Sequence, residues 1–175
     1  MKISLLPRQT ILITVIFAIA FAFVEAAVVV YIRQILGIDT GLGYEQLAIN
    51  KDQIIFSLPG LAFLSSETTS QIITVPLVMK TELFREAATL VMLISVAVLT
   101  GKNLRQKAAY FLLAFGVWDI FYYVFLRLLI DWPKTLFDTD IFFLLPIAWV
   151  GPVITPVFIS TLMVFTSLVL LNRRN

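Results

Sequence analysis

The sequence predicts an all-α fold, a polytopic integral membrane bundle of about four transmembrane helices. Three observations carry this expectation. Of 175 residues, 60% are hydrophobic and only 14% are charged, against roughly half and roughly a quarter in an average soluble domain. The apolar residues are gathered into long runs of membrane-spanning length, with a mean hydropathy of +0.98. The basic residues stand at the ends of those runs, as topology signals do, and form no broad patch. The length fits a single transmembrane domain over residues 1–175.

The first span is expected over about 11–32, interrupted only by Glu25, with Lys2 and Arg8 before it and Arg33 closing it. A cleaved signal peptide is the rival reading, since Ala18, Ala20 and Ala22 resemble a cleavage region. The apolar stretch continues past Glu25, which favours a span. Ala18, Ala22 and Ala26 recur every four residues, a small-residue face for close helix packing.

Residues 34–80 read as a long extracytoplasmic first loop. Gly37, Gly41 and Gly43 open it, 44–52 is polar, and 54–64 is apolar but too short to span and is broken by Pro59 and Gly60. This loop is expected to be folded, with an interfacial or re-entrant piece; a further hairpin of membrane helices over 54–79 is the alternative. The second span is expected over about 82–100, with Glu82 and Glu86 at its start, where negative charge suits the helix dipole. A short basic loop with Lys102, Arg105 and Lys107 leads to the third span, about 108–130, which Asp131, Trp132 and Pro133 end. Residues 141–172 carry no charge and exceed one span, with Pro146, Pro152 and Pro156 in the first half. A proline-broken approach over 141–150 is therefore expected before a last span at about 153–171.

Four spans place Lys2 and Arg8, the 101–107 loop, and Arg173 and Arg174 on one side. The positive-inside rule makes that side cytoplasmic, so both termini are expected inside and 34–80 and 131–140 outside. The stretches REAATLVML, GVWDIFYYVF and FLLPIAWVGPV resemble those of small prokaryotic membrane proteins, which suggests a multi-pass protein of the prokaryotic inner (cytoplasmic) membrane. That resemblance brings no activity with it.

Absences narrow the chemistry. The chain has neither cysteine nor histidine, which excludes iron–sulfur clusters, thiolate metal sites, histidine-ligated haem and histidine acid–base catalysis. The cofactor is otherwise unknown. Nucleotide-binding and hydrolase fingerprints are missing, and no nucleic-acid partner is expected. The catalytic residues, if there are any, are unknown. A Glu82 and Glu86 pair at helical spacing is a weak metal candidate: a di-iron bundle needs Glu-x-x-His, leaving only a hard cation with oxygen ligands.

Charges within spans are costly, about 2.5–3.5 kcal/mol each on insertion scales, and mark function or pairing by default. Glu25, Glu86 and Asp119 are the ion- or proton-binding candidates, Arg85 and Arg127 their ion-pair partners, and Tyr122, Tyr123 and Trp149 the supporting polar or aromatic groups. The expected topology gathers these charges in the central and outer membrane. The plain structural alternative is that the same pairs only brace the bundle. Three function classes follow: a subunit or scaffold within a larger membrane complex, a proton- or cation-handling transport protein, and a membrane-embedded enzyme acting on lipid or quinone. The expected partners are the lipid bilayer and either further copies of the chain or other membrane subunits.

Overall fold

The structure is a computed structural model, and it describes residues 7–37 and 53–172. Among these lie five helices, four of them long and apolar enough to cross a membrane. Helix α1 (Pro7–Ile35), α3 (Pro76–Thr100), α4 (Leu104–Ile130) and α5 (Ile154–Asn172) are the long ones; α2 (Ser66–Ile72) is short. Their apolar length defines a multi-pass membrane protein. Lys2, Gly41, Gly43, the polar stretch 44–52, Arg173 and Arg174 lie outside the described residues.

Each boundary has a local cause. Pro76 occupies the first turn of α3, where its missing N–H is no loss, so this helix begins six residues earlier than expected. Asn103 caps α4 by accepting the Gln106 N–H at 2.9 Å, while Gln106 Oε1 accepts the Lys102 N–H. Asp131 ends α4 in a left-handed conformation (φ 55°).

The bundle core is built on close approach. Ala18 and Ala22 are fully buried and pack with Leu93, Ala97, Leu113 and Ala114 at the end of the bundle that holds the α3–α4 turn. Gly116 performs the same service between α4 and α5: a Cβ there would meet the Ser160 carbonyl oxygen at 2.7 Å.

The all-α expectation is corrected at the other end of the bundle. Two hairpins join into a four-stranded antiparallel sheet of order β1-β2-β4-β3. The first comprises β1 (Ile54–Leu58) and β2 (Leu61–Leu64), turned by Pro59 and Gly60 with Leu58 opposite Leu61. Gly60 adopts φ 77°, which suits the third position of a tight turn after proline. The second hairpin comprises β3 (Thr139–Phe143) and β4 (Trp149–Pro152). It replaces the proline-broken helical approach: Pro146 sits in the loop between the strands, where no ladder N–H is required. Strands β2 and β4 pair through Ala62 with Val150 and Phe63 with Trp149, which welds the two loops into one cap.

A second core lies under that cap. Leu64, Ile73, Leu144, Ala148 and Val150 are buried together, with Leu36, Met79 and Leu83 packed against them. The C-terminal end of α1 and the N-terminal end of α3 are thereby tied to the sheet. Over 54–79, the described backbone is a hairpin, a short helix and the first turn of α3, not a pair of spanning helices.

Candidate functional site

Between the cap and the bundle lies a polar cavity of about 70 Å³, enough for a few water molecules. α1 contributes Glu25; α3 contributes Glu82, Arg85, Glu86 and Thr89; α4 contributes Trp118, Asp119, Tyr122 and Tyr123; β3 contributes Asp140. Helical spacing explains the α3 set. Positions 82, 85, 86 and 89 are three and four apart and share one face.

Arg85 is the hub. It forms an ion pair with Glu25, and its Nε and Nη2 donate to the Glu82 carboxylate at 2.8–3.0 Å. Glu25 also accepts the Thr89 hydroxyl at 2.9 Å, so its buried carboxylate is held from two directions. Glu86 turns toward the cap and accepts the backbone N–H groups of Leu144 at 2.9 and 3.0 Å and Leu145 at 3.2 Å. A helix carboxylate thus satisfies the loop of the second hairpin.

Asp119 accepts the Ser160 hydroxyl of α5 at 2.8 Å and is almost wholly enclosed. Tyr123 donates instead to Asp140, at 3.0 Å. Behind Asp140 stands Arg33, fully buried, with Nη2 at 3.5 Å from the carboxylate and its guanidinium 4.0 Å from the Trp132 ring centre. Burial pushes the Asp140 carboxyl up to about 6; Arg33, the Tyr123 hydroxyl and the Ile141 N–H act in the opposite direction. Trp118 carries a buried indole N–H with no acceptor among the described residues, an unusual state for a polar group lining a cavity.

Of the sequence-derived candidates, Glu25, Glu82, Arg85, Glu86, Asp119, Tyr122 and Tyr123 therefore line one cavity. Two do not. Arg127 points away, donating to the Asp131 and Pro133 carbonyls at 3.0 and 3.1 Å and pairing with the Asp131 carboxylate. Trp149 belongs to the sheet, where its ring packs edge-on to Phe63. The weak metal candidates, Glu82 and Glu86, have separate partners: Glu82 accepts from Arg85 and Glu86 from the hairpin backbone. Among the described residues no three carboxylates gather as metal ligands.

Sequence reasoning missed Arg33, Asp140, Thr89 as the Glu25 partner, and Ser160. Arg33 reads as a closing interfacial charge, and Asp140 as one of several loop acids. The available signal was the tight proline–glycine turn between two apolar runs, which marks a hairpin; a sheet over the bundle end would have brought Asp140 inward.

Compared with known protein families, curated proteins and solved structures, the chain matches none. Fold and site together define a multi-pass membrane protein with a sheet-capped, carboxylate-rich cavity at one end of its bundle.

Proposed function

We propose that this is a small integral membrane subunit that takes up protons in its carboxylate cavity, from the side of the sheet cap, and works within a larger membrane assembly. The observation that carries this reading is a charge imbalance. Five carboxylates (Glu25, Glu82, Glu86, Asp119, Asp140) line the cavity with one cation, Arg85, a formal sum of +1 − 5 = −4. Counting Arg33 behind Asp140 leaves +2 − 5 = −3. Like charges this close and this dry are not all ionised together; protons or a cation neutralise them. The carboxylates are held in separate hydrogen-bonded arrangements, which admit protons without rearrangement, whereas a directly ligated cation would need the side chains to move.

The subunit part of the reading rests on the far half of the bundle. Below the cavity, Ala18, Ala22, Leu93, Ala97, Leu113 and Ala114 pack as an apolar plug. A proton entering from the cap side meets that plug, so transfer across the membrane requires a partner or a second conformation. With Arg8 at the start of α1 and Lys102, Arg105 and Lys107 around the α3–α4 turn, all at the plug end, the positive-inside rule has the cap facing outward and both termini facing the cytoplasm.

The test is infrared difference spectroscopy of the purified protein between about pH 5 and 8, alongside melting curves. Wild type is expected to show the carbonyl stretch of protonated carboxyls titrating in this range. Asp119→Asn keeps the Ser160 hydrogen bond and should remove part of that signal without lowering the melting temperature. Absence of any titrating carboxyl in wild type would sink the proton reading. An unchanged spectrum with a large loss of stability in Asp119→Asn would leave these residues as braces only.

A further inference from the structure

At the cap end of α4, an open groove of about 380 Å³ runs between α4, α5 and the 133–136 segment, separated from the carboxylate cavity by Tyr123, which lines both. Its wall is apolar: Ile120, Val124 and Leu128 follow one another along α4, and Val157 faces them from α5. Two cations, Arg127 and Lys134, line the same groove. We propose that this groove binds one anionic phospholipid of the leaflet on the cap side, the phosphate between Arg127 and Lys134 and an acyl chain along the α4 wall.

Depth supports this assignment. With 27 residues, α4 is about 40 Å long, roughly 10 Å more than the hydrocarbon core of a bilayer. Arg127 lies in its last turn, at the level of the headgroups. From Ile120 to Leu128 the apolar wall extends about 12 Å toward the bilayer interior. The wall is open from outside, Leu128 being 74% and Val124 41% exposed.

The charges are placed for a phosphate. Arg127 is held in position by Nη1, which donates to two backbone carbonyls and lies 3.2 Å from the Asp131 carboxylate. Its Nε and Nη2 have no acceptor among the described residues, and guanidinium donors suit a phosphate oxygen pair. Lys134 is exposed, and its ammonium makes no ion pair among the described residues. Asp138, the nearby acid, directs its carboxylate to the Lys134 and Thr135 backbone N–H groups and the Thr135 hydroxyl. Two cations stand against two carboxylates, Asp131 and Asp138, a formal sum of +2 − 2 = 0 at the mouth, so the phosphate is recognised by the open guanidinium and ammonium donors and not by a net charge.

Native mass spectrometry of the intact chain in detergent tests the proposal, titrated with phosphatidylglycerol, with phosphatidylcholine of the same acyl chains, and with inorganic phosphate. One phosphatidylglycerol should be retained about five-fold better than phosphatidylcholine, the order that one basic residue contributes at a membrane surface. Lys134→Gln and Arg127→Gln should each erase most of that preference. Lys134→Gln alters an exposed loop and should leave the melting temperature unchanged, so it stands even where Arg127→Gln disturbs the end of α4. Equal retention of the two lipids, or full preference surviving in Lys134→Gln, would overturn the proposal. Displacement of phosphatidylglycerol by millimolar inorganic phosphate would also overturn it, marking the site as one for free anions.

Discussion

Replacing Arg85 by methionine removes the hub of the cavity and leaves Glu25 without its cation. Met keeps most of the length and apolar stem of Arg, so packing changes little while the charge disappears. Glu25 is only 3% exposed and keeps just the Thr89 hydroxyl, and Glu82 loses its paired hydrogen bonds. Breaking a buried ion pair from one side costs about 3–5 kcal/mol. The chain has an escape, which is to hold Glu25 protonated. At about pH 7.5 that costs about 4 kcal/mol, because a glutamate in water releases its proton near pH 4.3 and each pH unit is worth 1.36 kcal/mol. The two routes agree, so a deficit of about 4 kcal/mol is expected at this pH, or roughly 8–16 °C in melting temperature for a chain of this size. The sign with pH follows. Proton uptake by Glu25 costs only about 1.6 kcal/mol at about pH 5.5, so the deficit shrinks as the solution is acidified. Tryptophan fluorescence melting in detergent measures it, with the buried Trp118 and Trp132 as reporters. An Arg85→Met protein melting within about 2 °C of wild type at pH 7.5 would refute the hub assignment, as would a deficit that does not shrink at pH 5.5.

Other expectations follow from the same geometry. The chain has no cysteine, so a single cysteine at Asn103 reports orientation cleanly; it should react with an impermeant thiol reagent only after the membrane is opened, and labelling from outside would reverse the topology. Gly116→Ala places a Cβ against the Ser160 carbonyl oxygen and Val164; the overpacking should cost about 1–3 kcal/mol and loosen the Asp119–Ser160 hydrogen bond, read as a lower melting temperature. Asp140 has its carboxyl raised from an ordinary 3.8 to about 6, so the folded chain binds this proton more tightly than the unfolded one. Its contribution to stability is therefore full below about pH 4 and falls by about 3 kcal/mol as the pH rises to about 6, flat beyond. The wild-type melting temperature, taken relative to Asp140→Asn, should decline across that window, and a difference that rises or stays level would contradict the assignment.

Much of this protein was legible in one dimension because a bilayer imposes strict rules on a chain. Backbone groups in hydrocarbon must be bonded within the helix, and the runs must be long and apolar; four such helices are present, three of them close to their expected bounds and α3 starting six residues early. The small-residue face of Ala18, Ala22 and Ala26 is fully buried. Charges within apolar runs need polar company, and that alone marked Glu25, Arg85, Glu86, Asp119 and Arg127 as a group; all but Arg127 line the cavity. The cap was a different matter. Its strands are four or five residues long, and runs that short carry too little periodicity to separate a strand from a piece of helix. Pairing β2 with β4 joins segments nearly ninety residues apart, and no local pattern encodes that choice. The tertiary structure alone decided which partner each charge took. Arg127, one helical turn beyond Tyr123, faces outward to its own helix end, while Arg33 turns inward because the sheet brings Asp140 over the end of α1. The carboxylate that Arg33 meets lies more than a hundred residues along the chain; folding of the two loops into one sheet is what makes them neighbours.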